Sequence, residues 1–147
     1  MYKHIMIPTD GSELCDKAID AGIAFAKQVK ARVTGFTAVP EYKLPGEVEL
    51  MSRHGVSFEQ YERDARHQAE AALQKIADRA RAAGVEYGAE FVQSDHPDEA
   101  IVRAAQKCGC DLIFMASHGR RGISALIHGS QTQGVLAQSK IPTLVYR

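Results

Sequence analysis

Residues 112–130 are LIFMASHGRRGISALIHGS, a short apolar run followed by a loop of small residues and then by the start of a helix. The apolar run, Leu112–Met115, predicts a central β-strand. Small residues let a backbone approach a ligand closely, and successive backbone N–H groups can form a concave anion site. This stretch therefore predicts a strand, a candidate phosphate loop and a helix, in that order.

Short apolar runs alternate with amphipathic stretches on both sides of this segment as well. The further predicted strands are 4–8, 33–39, 86–92 and 143–146. The predicted helices are 12–30, 58–83, 97–107 and one that begins near 130. Strands that alternate with helices predict an α/β fold with a single open, mostly parallel five-stranded sheet and helices on both faces. We assign residues 1–147 to a single domain, with the polar third strand near an edge.

Helical spacing also predicts which side chains face the core. In the first helix the apolar stripe comprises Leu14, Ala18, Ala21, Phe25 and Val29. In the second helix the same period runs through Phe58, Tyr61, Ala65, Ala69, Ala72, Ile76, Ala80 and Ala83. Gly84 follows directly and predicts the end of this helix.

The bulk composition limits the classes of function. The chain has 18 basic and 18 acidic residues, so no net field attracts nucleic acid or an anionic membrane. No apolar run approaches the roughly 18 residues of a membrane span, and the N-terminal run is too short for a signal peptide. We therefore expect a cytoplasmic protein with no nucleic-acid partner and no membrane partner.

The three cysteines do not form a disulfide framework. Cys108 and Cys110 are separated by one glycine, and Cys15 lies far from both in the sequence. Such a pair is compatible with a redox couple or half of a metal site, but no partner Cys-x-x-Cys is present. We expect reduced, structural cysteines, and the histidines show no metal-ligand spacing, so we predict no metal site built by the protein.

Two interpretations fit the end of the loop. A helix that begins at Gly129-Ser130 would point free N–H groups at a phosphate, with Arg120 and Arg121 adding positive charge. Alternatively, Ser130 and Gln133 form a capping box, and the arginines are solvated loop charges. Neither a Walker-type Gly-x-x-x-x-Gly-Lys-Ser/Thr motif nor a Gly-x-Gly-x-x-Gly after the first strand is present.

The loop resembles the signature of the universal stress proteins of the ATP-binding type: Gly, two residues, Gly, nine residues, then Gly-Ser or Gly-Thr. Gly119 and Gly129-Ser130 match its second and third elements, whereas Ala116 occupies the first glycine position. Residues 8–12, PTDGS, resemble the family's first strand-to-helix turn, and residues 141–145, IPTLV, resemble its last strand. The resemblance covers the whole chain and implies a Rossmann-like fold of the adenine nucleotide alpha-hydrolase type.

The resemblance implies an adenine-nucleotide site at the carboxyl ends of the strands. Asp10 would contact the ribose or the base edge, although a capping role is the alternative for it. Ala38 and Val39 would meet adenine, and the Ser130 hydroxyl would lie near the terminal phosphate and Mg²⁺. The full set of implied nucleotide-binding residues is Pro8, Thr9, Asp10, Ala38, Val39, Met115, Ala116, Ser117, His118, Gly119, Arg120, Gly129, Ser130, Gln131 and Thr132.

The same resemblance implies a nucleotide-responsive binding module in the stress response, with ATP (or AMP or ADP) and Mg²⁺ as ligands. Hydrolysis would be slow at most, and no catalytic residue is predicted, since the loop 116–130 contains no carboxylate. The alternatives are an ATP-hydrolysing or adenylate-transferring enzyme of the same superfamily and a nucleotide-free interaction protein.

Two further expectations concern the periphery of the domain. The final strand, Thr143–Arg147, is expected at a sheet edge, and the resemblance implies a homodimer through it. The long connection 40–57 leaves the edge that is expected to carry the ligand. It is either a lid or a variable, solvated connection.

Overall fold

The computed structural model describes residues 1–44, 46, 55, 57–117 and 130–147. Among these residues the five strands are β1 (His4–Pro8), β2 (Arg32–Val39), β3 (Tyr87–Gln93), β4 (Leu112–Ala116) and β5 (Thr143–Tyr146). The four α-helices in the same described residues are α1 (Asp16–Val29), α2 (Phe58–Ala83), α3 (Pro97–Cys108) and α4 (Ser130–Gln138). A short 3₁₀ helix, Glu13–Cys15, leads into α1. The predicted order of strands and helices is therefore confirmed.

The strands form one sheet in the order β3-β2-β1-β4-β5, and every neighbouring pair is parallel. The polar third strand lies at one edge and β5 at the other, as predicted. The apolar β4 is interior, while β1 is the middle strand. Within the described part of the chain, no helix is long and apolar enough to cross a membrane.

Alternate strand residues pack on opposite faces of the sheet. Ile5 and Ile7 of β1 contact the core beneath α1 and α2, whereas Met6 contacts the core beneath α3 and α4. All three side chains are fully buried. Because the interior strands β1 and β4 pack on both faces, their sequences are nearly continuous apolar runs rather than alternating ones.

The predicted stripe of the first helix is wrong at Leu14, whose side chain is 57% exposed. The first turn is a 3₁₀ helix, which has three residues per turn, so Cys15 rather than Leu14 faces the core. The second helix follows its predicted boundaries, and Gly84 ends it with φ of 72°. Only its first residue, Phe58, departs from the predicted buried stripe: its side chain is exposed, and its ring contacts Tyr42.

A buried histidine joins three segments at the amino-terminal end of the sheet. His4 lies on β1, its Nε2 is 2.7 Å from Thr34 Oγ1, and its Nδ1 is 3.1 Å from a guanidinium nitrogen of Arg32. A guanidinium can only donate, so Nδ1 is the acceptor and Nε2–H donates to the threonine. The backbone N–H groups of Lys3 and His4 donate to the carboxylate of Asp111. This network accommodates a neutral imidazole.

We predict that His4 makes the domain less stable in mild acid. Burial, and then the charge of Arg32, lower the pKa of His4 below its ordinary 6.5. The unfolded chain therefore binds the proton first, and the free energy of unfolding falls as pH decreases below 6.5. Denaturant unfolding between about pH 7.5 and 5 measures this in the native chain and in His4→Gln, which has no titrating group at this position.

The wild type should lose more stability than His4→Gln across this interval, and parallel profiles would contradict the prediction. Asp111 does not interfere with the comparison. Burial alone would raise its pKa, but the hydrogen bonds from His4 and Lys3 outweigh burial and lower the pKa from 3.8. Its contribution to stability is therefore lost only in stronger acid.

Candidate functional site

The strand order reverses between β1 and β4, the position at which open parallel sheets bind ligands. The chain leaves β1 for α1 on one face and leaves β4 for α4 on the other. Met6 pairs with Ile113, and continuing that register places Pro8 opposite Met115. The segments that follow these two strands therefore begin side by side at the same edge.

The turn after β1 is organised by two of the predicted site residues. Thr9 extends the pairing with β2 through its N–H to Phe36 O (2.8 Å), and its Oγ1 accepts from Gly11 N at 3.0 Å. Asp10 Oδ1 accepts from both Ser12 N (2.9 Å) and Ser12 Oγ (2.5 Å). It also accepts from the Cys15 thiol at 3.3 Å. This carboxylate oxygen stabilises the turn, and Ser12 caps the 3₁₀ helix by position without a side-chain bond to its backbone.

The thiol in this cluster is a donor rather than a nucleophile. Burial raises the pKa of Cys15 above its ordinary 9.0, so the sulfur stays protonated and can donate to Asp10. The polar turn is thereby linked to the core beneath α1, in which Cys15 is buried.

Helix α2 packs against this turn at Gly11, a contact that was not predicted from the sequence. Gly11 has φ of 79°, and a β-carbon at that position would lie 3.3 Å from the Ala72 Cβ. Lys75 Nζ donates to Gly11 O at 3.2 Å and lies 3.4 Å from Asp16 Oδ1. No local pattern indicates these contacts, because Lys75 is 64 residues from Gly11 in sequence.

The two predicted site residues at the end of β2 pack against different parts of the core. Val39 is buried against Ala65 and Ala69 of α2, and its carbonyl accepts from Ser94 N at 2.8 Å. Ala38 is half-buried, and its side chain packs against the opposite core. Val39 is therefore part of the core beneath the sheet edge, while Ala38 is the more accessible of the two residues.

The end of β4 is joined directly to the first turn of α4. Thr132 Oγ1 donates to Ala116 O at 3.1 Å and lies 3.5 Å from Ser117 O. Ser117 N–H donates to Tyr146 O at 2.9 Å, continuing the ladder with β5. Met115, Ser117 and Thr132 are buried, whereas Ala116 is half-buried. The start of α4 is therefore held at the crevice between β1 and β4.

Ser130 is the first residue of α4 and its side chain is exposed. The capping role of Ser130 with Gln133 stays a prediction, because residue 129 lies outside the described residues. Gln131 Oε1 accepts from Asp98 N at 2.9 Å, so this side chain is directed at α3. The predicted site residues His118, Gly119, Arg120 and Gly129 lie outside the described residues.

No cluster of three or more potential metal ligands occurs among the residues with described positions. Cys15, Cys108 and Cys110 are free thiols. Burial raises the pKa of Cys110 to about 12, and burial together with the nearby Glu90 raises that of Cys108. Both thiols are therefore protonated near neutral pH, which is the state of structural cysteines.

A family model, the "Universal stress protein family", matches residues 1–147. The chain belongs to the universal stress protein family. One curated relative is universal stress protein MJ0531 of Methanocaldococcus jannaschii, 31% identical over 150 residues, covering 100% of this chain and 83% of that protein. The family resemblance inferred from the sequence is thus confirmed.

Solved structures of universal stress proteins share the fold. The structure of MJ0577, also from Methanocaldococcus jannaschii, aligns with a TM-score of 0.80 at 27% identity, covering 99% of this chain and 95% of that one. A universal stress protein in complex with cAMP aligns with a TM-score of 0.67 at 23% identity, covering 99% of this chain and 97% of that one. One from Archaeoglobus fulgidus in complex with dAMP has a TM-score of 0.65 at 16% identity, over 99% and 98%.

We predict that Thr132→Val destabilises this universal stress protein by about 1–2 kcal/mol, since the half-buried Ala116 carbonyl loses its donor and the Ser117 carbonyl loses a polar neighbour. The matched control is Thr37→Val, the same change at a buried threonine whose hydroxyl makes no hydrogen bond with the described residues. Chemical denaturation of both variants measures the difference. Equal stabilities for the two variants would show that the link between α4 and β4 contributes nothing.

Proposed function

We propose that this chain is a nucleotide-responsive binding module that takes an adenine nucleotide, ATP or its AMP and ADP relatives, at the crevice between β1 and β4. The observation that carries the proposal is the position of α4. Thr132 holds its first turn against the end of β4, where the strand order reverses. Free N–H groups at a helix start, together with the helix dipole, favour a phosphate.

The relatives support the choice of nucleotide. Two structures with the same fold are complexes with cAMP and with dAMP, and both ligands are adenine nucleotides with a single phosphate. In this chain the turn 9–12 follows β1, and Thr132 of α4 bonds to the end of the neighbouring strand β4. Base and ribose would therefore contact the β1 side and the phosphates the α4 side. Asp10 would reach the ribose or base edge, and Ala38 would contact adenine. Gly119, Arg120 and Gly129 belong to the proposed phosphate loop.

The available donors suit a magnesium–phosphate ligand. Mg²⁺ prefers oxygen ligands and is usually held by one or two protein oxygens together with phosphates and water. The Ser130 hydroxyl is exposed in the first turn of α4 and would supply such an oxygen. When bound, the ion would neutralise part of the phosphate charge.

We favour binding over catalysis as the function. Phosphoryl transfer needs a group that orients or activates the nucleophile. The turn after β1 carries one carboxylate, Asp10, whose Oδ1 already accepts from Ser12 and Cys15. Because these hydrogen bonds hold the Asp10 carboxylate in the turn, it is not free to act as a general base. Occupancy, rather than turnover, would then carry the signal in a stress response.

We predict that isothermal titration gives saturable binding of Mg²⁺·ATP, with weaker binding of adenosine, which lacks the phosphates. Ala116→Gly should raise the ATP affinity severalfold, because it removes a methyl group where the family signature has glycine. The matched control is Ala89→Gly, the same change at an exposed residue of the edge strand β3, and its affinity should equal that of the wild type.

The alternatives give different results in this titration. Absence of heat with ATP, together with no nucleotide released from the denatured protein, would replace the proposal with a nucleotide-free interaction protein. Fast, Mg²⁺-dependent release of ADP or AMP over many turnovers would indicate an enzyme instead.

We also propose a homodimer formed through β5. This strand is at the sheet edge, and its residues Thr143–Tyr146 are only half-buried in the single chain. An exposed edge strand pairs readily with a second copy under two-fold symmetry. Sedimentation at micromolar concentration should show a species of about twice the 16.1 kDa chain mass. A single species at the chain mass would refute this assembly.

A further inference from the structure

Helices α3 and α4 are joined by a clasp centred on Asp98. Its backbone N–H donates to Gln131 Oε1 at 2.9 Å, and its carboxylate Oδ2 accepts from Gln138 Nε2 at 2.8 Å. Gln131 and Gln138 lie seven residues apart, close to two helical turns, and so project from the same face of α4. One residue of α3 therefore contacts both ends of α4.

Gly134 makes the close contact between the two helices possible. A β-carbon at Gly134 would overlap the carboxylate oxygen of Asp98 and would lie 2.7 Å from its Cβ and Cγ. Glycine inside a helix costs roughly 1 kcal/mol relative to alanine, so helix propensity does not favour it here. The residue fits because the Asp98 side chain occupies the space in which a larger side chain would lie.

Two further contacts with described residues hold α4 in place. The helix has nine residues, and its buried residues are Thr132 and Val135. Helices this short are marginal without tertiary contacts. The Thr132 hydroxyl holds the first turn at β4, and Val135 anchors the middle of the helix in the core. The remaining rotation and tilt of the helix about these two points are restrained by Asp98.

The clasp also leaves the first turn available to a ligand. The side-chain oxygen of Gln131 accepts a hydrogen bond from Asp98 of α3. The backbone N–H of Gln131, not its side chain, would therefore face a phosphate. The Asp98 carboxylate contacts Gly134 and Gln138. These residues lie about four to eight positions after Ser130, which corresponds to roughly 6–12 Å along the axis of α4. The negative charge of the carboxylate therefore stabilises the helix contact without standing in the proposed phosphate position.

We propose that Asp98 is a positioning residue for nucleotide binding, which aims the first turn of α4 at the phosphates through Gln131, Gly134 and Gln138. This inference rests on the proposed function. Asp98 touches no part of the proposed ligand, so its effect should be confined to the contribution of the phosphates. The ratio of the affinities for ATP and for adenosine isolates that contribution. Adenosine has no phosphates, so its binding does not depend on the N–H groups at the start of α4.

The test measures dissociation constants of Mg²⁺·ATP and adenosine for the wild type and for Asp98→Ala, Gln138→Ala and the double variant. The preference for ATP over adenosine should fall roughly three- to tenfold in each single variant, the range expected for a helix terminus acting on an anion. Adenosine affinity should stay unchanged. The double variant should lose no more than either single variant, since both changes break one contact.

Glu99→Ala is the matched control, because it removes a carboxylate from the same first turn of α3 without touching the clasp. It should keep the wild-type ratio. Gln138 is exposed, so its variant gives a folded protein even if Asp98→Ala fails to fold.

The outcomes separate the two proposals. If the wild type binds ATP no better than adenosine, or binds neither, the proposed phosphate site and the positioning role both fail. If the wild type prefers ATP and Asp98→Ala and Gln138→Ala keep that preference, the positioning role fails and the proposed function stands. An equal fall in the Glu99→Ala variant would also overturn the positioning role.

Discussion

The reversal of strand order between β1 and β4 is the constraint on which the candidate site depends. Parallel strands require crossovers of one hand, so α1 must leave β1 on one face and α4 must leave β4 on the other. Two helix starts consequently flank one crevice at the carboxyl edge of the sheet. The apolar residues of β1 and β4, buried on both faces, hold this geometry.

Short polar contacts then shape the edge around that crevice. Asp10 and Thr9 stabilise the turn after β1, and Lys75 supports it from α2. On the opposite side, Thr132 fastens α4 to the end of β4, and Asp98 restrains it from α3. The side chains of Thr9, Asp10 and Thr132, which the sequence resemblance assigns to a ligand site, thus hydrogen-bond to neighbouring residues and fix the position of the backbone there. This division suits a site in which main-chain N–H groups, rather than side chains, provide the binding energy.

Local patterns in the sequence predicted the strand and helix order, because burial on both faces and helical period leave strong signals. The boundaries of α2 are an example, with Gly84 at its end. The phase of the first helix was wrong because a 3₁₀ turn replaces its first residues, and Leu14 therefore faces solvent. The contacts of Lys75 and Asp98 were not predictable, since they join helices far apart in sequence through side chains with no distinctive spacing.

Backbone amide shifts on titration with Mg²⁺·ATP and with adenosine test the central claim most directly. The account predicts that amides of the turn 9–12 shift with both ligands. Those of Ser130, Gln131 and Thr132 should shift strongly only when the triphosphate is present. Shifts confined to other parts of the sheet, or none at Ser130–Thr132 with ATP at saturation, would contradict the account.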